Sequence, residues 1–353
     1  MQDVEEIFDE AEIAFMMEDY ETAQAKYEQA LKMDPQNALV MSGYGVFLAE
    51  VGREEEAVPL LQKAAQLDPD NGFEKYLYLG QVLAGPPAVE ALQKGIELIR
   101  RELQAVTDMG GDKEELREIR ENVASQLSSA LCALAEEFMS SAAESAELGE
   151  DGEGSLSEAQ RASLKAAIEP LANEAHALDP ASPEPMQVAA HTAVLCNDEE
   201  LAAECIRASL ACWRRPGKDD EASESESESS MSEGDNALPE GAELPSYEHR
   251  FSTAKLLLAL DIEIPTAANV LNDLLIESDA NLSVYLLLGD ALCRLEEYEN
   301  VEELLDNRDW AKESPADEEE AEVLSHILQM QQEVKRLLDA REGEDAPTET
   351  PAA

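Results

Sequence analysis

The chain has 353 residues, of which 44% are hydrophobic and only 5% aromatic, and its 79 acidic residues against 25 basic ones give a formal net charge of −54. An apolar fraction led by Ala and Leu suits closely packed helices and argues against a β-sandwich or a barrel. Such a charge repels nucleic acid and anionic lipid and exceeds what solubility alone requires, the bland alternative being an organism whose proteins are generally acidic.

The first predicted helix carries Ile7, Ala11 and Ala14, and the second carries Ala23, Tyr27 and Ala30 before Met33-Asp34-Pro35. The pattern returns about 34 residues on, the period of a two-helix tetratricopeptide repeat. Met41, Tyr44, Gly45 and Leu48 are followed by Ala57, Leu61 and Ala64, then by Leu67-Asp68-Pro69. Small residues let the two helices cross closely. Pro has no N–H and holds its predecessor extended, so it ends each unit at a fixed register.

A third repeat starts with Tyr76, Leu79, Gly80 and Leu83 and is cut short at Gly85-Pro86-Pro87; Ala88 to Arg101 supply its second helix, with Leu92, Gly95 and Ile99 inside. Residues 102–118, charged and containing Gly110-Gly111, read as a long irregular connection that can extend a helix on either side. A long helix from Leu116 to Ala143 has Leu127, Leu131, Leu134 and Phe138 on one face. After an acidic loop from Glu147 to Gly154, Ser157 to Leu178 ends in the same Asp179-Pro180 stop, completing a fourth repeat. Residues 181–213 make a fifth, with Met186, Ala190 and Ala193 in one helix and Ala202, Ile206 and Leu210 in the other.

The stretch 214–245 is acidic, rich in Ser and Glu, and too poor in apolar residues to offset its chain entropy, so a disordered linker is predicted. Ser223 and Ser225 each have Glu three residues on, the pattern an acid-directed kinase phosphorylates; a solvated spacer is the alternative. Order resumes over 246–341. Phe251, Ala254, Leu257 and Leu258 mark one helix, Pro265 to Ile276 the next, and Tyr285, Leu288, Gly289, Leu292, Val301 and Leu305 a further repeat. A charged helix with Val323, Ile327, Met330, Val334 and Leu337 caps the array, and the tail 342–353 reads as disordered. The predicted fold is all-α: a right-handed tetratricopeptide α-solenoid of about seven repeats, with an N-terminal array over 1–213, the acidic linker, and a C-terminal pair plus capping helix.

No run of about 18 apolar residues predicts a membrane span, and no basic-then-apolar N-terminus predicts a signal peptide. The five scattered cysteines point to a reducing, intracellular setting. His191, Cys196, Cys205 and Cys212 lie near one another, but no CxxC or HxxxH spacing supports a metal, and buried thiols acting as small hydrophobes are the simpler reading. The four histidines, His176, His191, His249 and His326, have no nucleophile or carboxylate at useful spacing, and no phosphate-cradling loop appears. Gly43, Gly45, Gly80 and Gly289 fall at helix crossings, where packing explains them. The sequence therefore predicts neither an enzyme nor a cofactor.

Binding remains. In a tetratricopeptide array the first helices line a groove, and the positions facing it here are Glu5, Phe8, Asp9, Glu12 and Met16, then Ser42, Val46 and Glu50, then Glu74, Leu77, Tyr78 and Gln81. Acidic and apolar side chains alternate, as suits a basic extended peptide with some hydrophobes. The Lys, Arg and Asn clamp needed to hold the acidic tails of heat-shock chaperones is missing.

Four stretches carry a family resemblance: Gly43-Tyr44-Gly45 to Glu50; Phe73-Glu74-Lys75-Tyr76-Leu77-Tyr78-Leu79-Gly80-Gln81; Leu244-Pro245-Ser246-Tyr247-Glu248-His249-Arg250; and Tyr285-Leu286-Leu287-Leu288-Gly289-Asp290-Ala291-Leu292. On these the chain resembles the dedicated fungal assembly chaperones of the large-subunit ribosomal protein uL4. The resemblance implies a client bound along the groove, its basic extension shielded, and passage from cytoplasm to nucleus until it joins pre-ribosomes. Only Arg100-Arg101 and Arg214-Arg215 form basic clusters, so nuclear entry would rely on the client or an import factor. The alternatives are an acidic tetratricopeptide histone chaperone, and a scaffold between non-basic proteins, which leaves the charge unexplained.

Overall fold

The structure, a computed structural model, describes residues 3–109, 114–147, 156–214, 244–313, 315 and 317–345. Every regular element among them is helical. They divide into two compact units, 1–197 and 198–353.

In the first unit the helices are α1 (Val4–Met16), α2 (Tyr20–Met33), α3 (Ala38–Glu50), α4 (Glu54–Leu67), α5 (Glu74–Val82), α6 (Pro86–Asp108), α7 (Glu114–Glu147), α8 (Glu158–Leu178) and α9 (Glu184–Leu195). Asp3, Asp19, Asn37 and Ser157 cap the N-termini of α1, α2, α3 and α8 with side-chain acceptors, and Ser157 forms a reciprocal capping box with Gln160. The stops are equally regular. Asp34, Asp68 and Asp179 close α2, α4 and α8 with φ between −132° and −138° and ψ between 84° and 89°, each N–H reaching the carbonyl of an Ala one turn back. The Pro that follows each Asp excludes the helical conformation there.

Consecutive helices pack as hairpins: α1 on α2, α3 on α4, α5 on α6, α7 on α8. The first helices also pack in series, α1 on α3, α3 on α5, α5 on α7 and α7 on α9, while no comparable packing joins α2 to α4 or α4 to α6. The first helices are therefore the inner layer. Between the first two repeats an aromatic cluster fills the core, with Tyr27 stacked on Tyr44 at 5.4 Å and Phe15 edge-on to Phe47 at 5.4 Å.

The connection expected over 102–118 is mostly helix. Helix α6 continues to Asp108 and α7 begins at Glu114, because Leu103 extends the apolar face of α6 that packs on the core shared with α7, with Val106 half-buried one turn on. Gly110-Gly111 and the loop from 148 lie outside the described residues.

The second unit contains α10 (Glu199–Ala211), α11 (Tyr247–Ala259), α12 (Ile264–Glu277), α13 (Leu282–Arg294), α14 (Tyr298–Asp306), a 3₁₀ turn at Trp310–Lys312 and α15 (Glu318–Asp345). Helix α10, expected in the N-terminal array, groups with the second unit because it packs on α11. Helix α15 covers α13 and α14 through Leu324, Ile327 and Val334, and Met330 lies against Gly289; Leu337 is exposed. The helix also extends past 341 into the predicted tail. Ser223 and Ser225, with the rest of 215–243, lie outside the described residues, as do 346–353.

Candidate binding groove

Over the first three repeats the inner layer carries almost no positive charge, whereas α7, the first helix of the fourth, carries Arg117 and Arg120. Helices α1 and α3 contain no Lys or Arg, and α5 contains only Lys75. Lys75 is 2% exposed, its ammonium group turned onto the carbonyls of Asn71 and Gly72. Burial pulls its pKa down. Together with the bond from Tyr76 Oη to Pro69 O at 3.0 Å, it stitches the turn that launches α5. Several cations of the second helices and turns serve carboxylates there or at the seam between layers: Lys26 pairs with Glu10, Arg53 with Glu56, Lys94 with Asp70 and Glu97, and Arg100 with Glu174, while Arg117 pairs with Glu114 and Glu121 within α7.

Of the residues the sequence placed on the groove, Glu5, Asp9, Met16, Glu50, Glu74 and Gln81 are exposed, Met16 at 76%. Glu12, Ser42, Val46, Leu77 and Tyr78 are half-buried. Phe8 is buried instead of facing the groove: it packs edge-on to Tyr27 at 6.1 Å and against Gly43, where a Cβ would come within 2.7 Å of both its ring and Glu12 Oε1. The absence of a side chain at 43 lets the ring and the carboxylate settle there.

Two groove carboxylates are held by tyrosines. Tyr27 Oη donates to Glu12 Oε1 at 2.5 Å, and Tyr78 Oη donates to Glu50 Oε1. Burial first, and then the neighbouring carboxylate, push both phenols well above the ordinary tyrosine range. Each carboxylate is fixed in direction and keeps further lone pairs to offer. Among the described residues none of Glu5, Asp9, Glu12, Glu50 and Glu74 takes part in an ion pair.

The groove continues where the sequence reading stopped. A cleft of about 420 Å³ opens between α5, α6 and α7, joining Glu74 to Glu102, Glu118 and Ile119. Glu102 and Glu118 fell within the expected irregular connection, and Ile119 in the helix expected from Leu116. The signal that would have found them is the helical spacing of Leu103 and Val106, which carries α6 past Arg101.

Among the described residues no group of three His, Cys, Asp or Glu could hold a metal ion, and no helix is long and apolar enough to cross a membrane.

The tetratricopeptide repeat family model matches residues 8–72. No curated protein matches the sequence. Among solved structures, the chain is similar to the assembly chaperone of RpL4, Acl4, with a TM-score of 0.65 and 23% identity over 85% of this chain and 99% of that one. Lesser similarity extends to PilW, a type IV pilus biogenesis factor (TM-score 0.44, 15% identity, 80% of this chain and 96% of that one), and to yeast Tom70 (TM-score 0.33, 11% identity, 97% and 99%). The fold is a tetratricopeptide-repeat α-solenoid.

Proposed function

We propose that this chain is a dedicated chaperone that binds and shields a newly made, strongly basic ribosomal protein of the uL4 type along the acidic inner face of its repeats, and accompanies it from cytoplasm to pre-ribosomes in the nucleus. The observation that carries the reading is the separation of charge. Cations are absent from α1 and α3, the one lysine of α5 is turned into the backbone, and the carboxylates of that face lack cationic partners among the described residues.

A folded protein gains from pairing its surface charges, if modestly. A face left unpaired across three successive first helices is preset for an external cation. Ribosomal proteins carry long basic extensions that bind any polyanion before they meet RNA, and a carboxylate groove imitates the phosphate backbone without committing the client to it. Similarity in fold to the RpL4 assembly chaperone agrees with this role. Entry to the nucleus would depend on the client or an import factor.

The test is affinity purification of the tagged chain from its own cells at moderate salt, with stoichiometric partners identified by mass spectrometry. One large-subunit ribosomal protein is the expected result. Core histones would replace this reading with a histone chaperone, and a non-basic partner would reduce the chain to a scaffold.

A further inference from the structure

We propose that the solvent face of α1 is a docking surface for an amphipathic helix of a partner protein, apolar at that helix's start and basic at its end. This goes beyond the proposed function and does not depend on what the inner groove binds.

The face is the one by which repeats stack. Glu6, Glu10 and Ile13 on α1, with Met17 at its C-cap, correspond to Val40, Tyr44, Phe47 and Val51 one repeat period of about 34 residues on. In the second repeat all four are apolar, and Val40, Tyr44 and Phe47 are buried. What covers them is α2, returning antiparallel across a short turn: Tyr27 stacks on Tyr44 at 5.4 Å and lies 5.5 Å from Phe47. Nothing among the described residues covers the same face of α1. Ile13 is 49% exposed, Met16 and Met17 are each 76% exposed, and Tyr20, across the turn, is 48% exposed.

The apolar end of this face is preset. Met17 N–H bonds to Ile13 O at 3.1 Å, Glu18 N–H to Phe15 O at 2.9 Å and Asp19 N–H to Ala14 O at 2.9 Å, the bonds that lock a helix end. The ring of Tyr20 lies 6.4 Å from those of both Phe15 and Phe47, so the patch is rooted on the core. A surface held this way loses little freedom on binding. A repeat face left to water is polar throughout; this one is polar only in its first half.

That division chooses the occupant. Helix α1 carries Glu5, Glu6, Asp9, Glu10 and Glu12 and no Lys or Arg. Lys26 of α2 offsets Glu10, and Lys32 sits on Glu28. A helix taking the place that α2 takes on α3 runs antiparallel to α1. Its first turns meet Ile13, Met16 and Met17, whose thioethers adapt to varied apolar partners. Its last turn meets Glu6, and Lys or Arg there also suits its own dipole. A second copy of this chain fits badly: antiparallel copies set glutamates on methionines, parallel copies set carboxylate on carboxylate, and two chains of charge −54 repel.

The test uses the full chain with isotope-labelled methionine methyls, read by NMR, and two peptides of identical composition. One has Pro at its first position, Leu at helical spacing in its early turns and Lys in its late ones; the other has the Pro moved to its centre, which breaks the helix. By anisotropy of fluorescein-labelled copies, the helical peptide is expected to bind about tenfold tighter than the broken one. It should also move the Met16 and Met17 methyl signals, assigned by their loss from Met16→Leu and Met17→Leu spectra. Ile13→Ser with Met17→Ser changes exposed residues and should weaken the helical peptide about tenfold while leaving the broken one unaffected. Met17→Ser alone should show part of the loss. Equal binding of the two peptides, unmoved methyl signals, or wild-type affinity in the double variant overturns the docking surface. A wild-type dimer in light scattering that the double variant lacks overturns it in favour of a second copy.

Discussion

The hydroxyl of Tyr78 on α5 donates to the carboxylate of Glu50 at the end of α3, so the third repeat orients a charged group of the second. Tyr78→Phe removes that donor and should cost about 1 kcal/mol of stability, the usual net worth of a hydrogen bond. Glu50→Gln keeps an acceptor oxygen and should cost less. Urea denaturation followed by circular dichroism checks the order; a larger loss for Glu50→Gln would show that the bond does not set the contact.

The same chemistry makes stability depend on alkaline pH. Burial is the leading cause raising Tyr27, Tyr78, Tyr44, Tyr76 and Tyr247, with the Glu12 and Glu50 carboxylates adding to the first two. A phenol raised on folding stays neutral in the folded chain while the unfolded chain ionises. Its contribution is therefore complete below about pH 10, the ordinary tyrosine value, and is lost as pH climbs toward the folded value. Absorbance at 295 nm should show the folded chain ionising later than the chain in urea. Superimposable titrations would contradict the burial of these hydroxyls.

Charge reversal on the groove should be read with the tyrosines in mind. Glu12→Lys would abolish binding and also strip Tyr27 of its acceptor, confusing two losses. The exposed Glu5, Asp9 and Glu74 are cleaner. Reversing all three to Lys should weaken a basic peptide by about a hundredfold or more, by analogy with close charge pairs at interfaces. Reversing Asp219, Asp220 and Glu221 should cost far less. Equal losses would mean general attraction by a negative chain, with no defined groove.

The repeat architecture was legible because the information is local and periodic: the Asp-Pro stops at 34, 68 and 179 and the small residues at each crossing are read directly from the spacing. The site was legible only in part. Phe8 has the right register to face the groove, yet the empty space over Gly43 on a neighbouring helix draws its ring into the core, a tertiary effect no single-helix pattern contains. Glu102 and Glu118 were missed because a double glycine and high charge resemble a loop, while the helices on both sides continue on the packing of α6 against α7.

Gly45 tests the crossings. Alanine there would gain about 0.8–1.0 kcal/mol in helix propensity. Its Cβ, however, would lie 2.7 Å from both Cγ and Cδ2 of Leu61, a fully buried side chain with nowhere to move. Overpacking of this kind costs about 1–3 kcal/mol, so Gly45→Ala should be destabilising on balance. A rise in the urea midpoint would mean that α3 and α4 can separate at no cost.

The stretch from Leu244 to Arg250, which carries part of the family resemblance, has a folding role in this structure. Ser246 caps α11 by accepting from the N–H of His249 at 3.2 Å. Arg250, 5% exposed, donates through Nε to Pro245 O at 2.9 Å and through Nη2 to Glu277 at 2.6 Å, tying the start of α11 to the end of α12. Arg250→Ala leaves the Pro245 carbonyl and a carboxylate without their donor and removes a packed stem, and should cost about 3 kcal/mol. Glu277 is half exposed and can turn to water, so Glu277→Ala should cost less. The chain's two tryptophans, Trp213 and Trp310, both lie buried in the second unit, so their fluorescence reports that unit's unfolding alone. Arg250→Ala should shift the fluorescence transition to lower urea and leave peptide binding to the inner face of the first unit unchanged. Unchanged fluorescence with lost binding would reverse the assignment and make the stretch part of the binding surface.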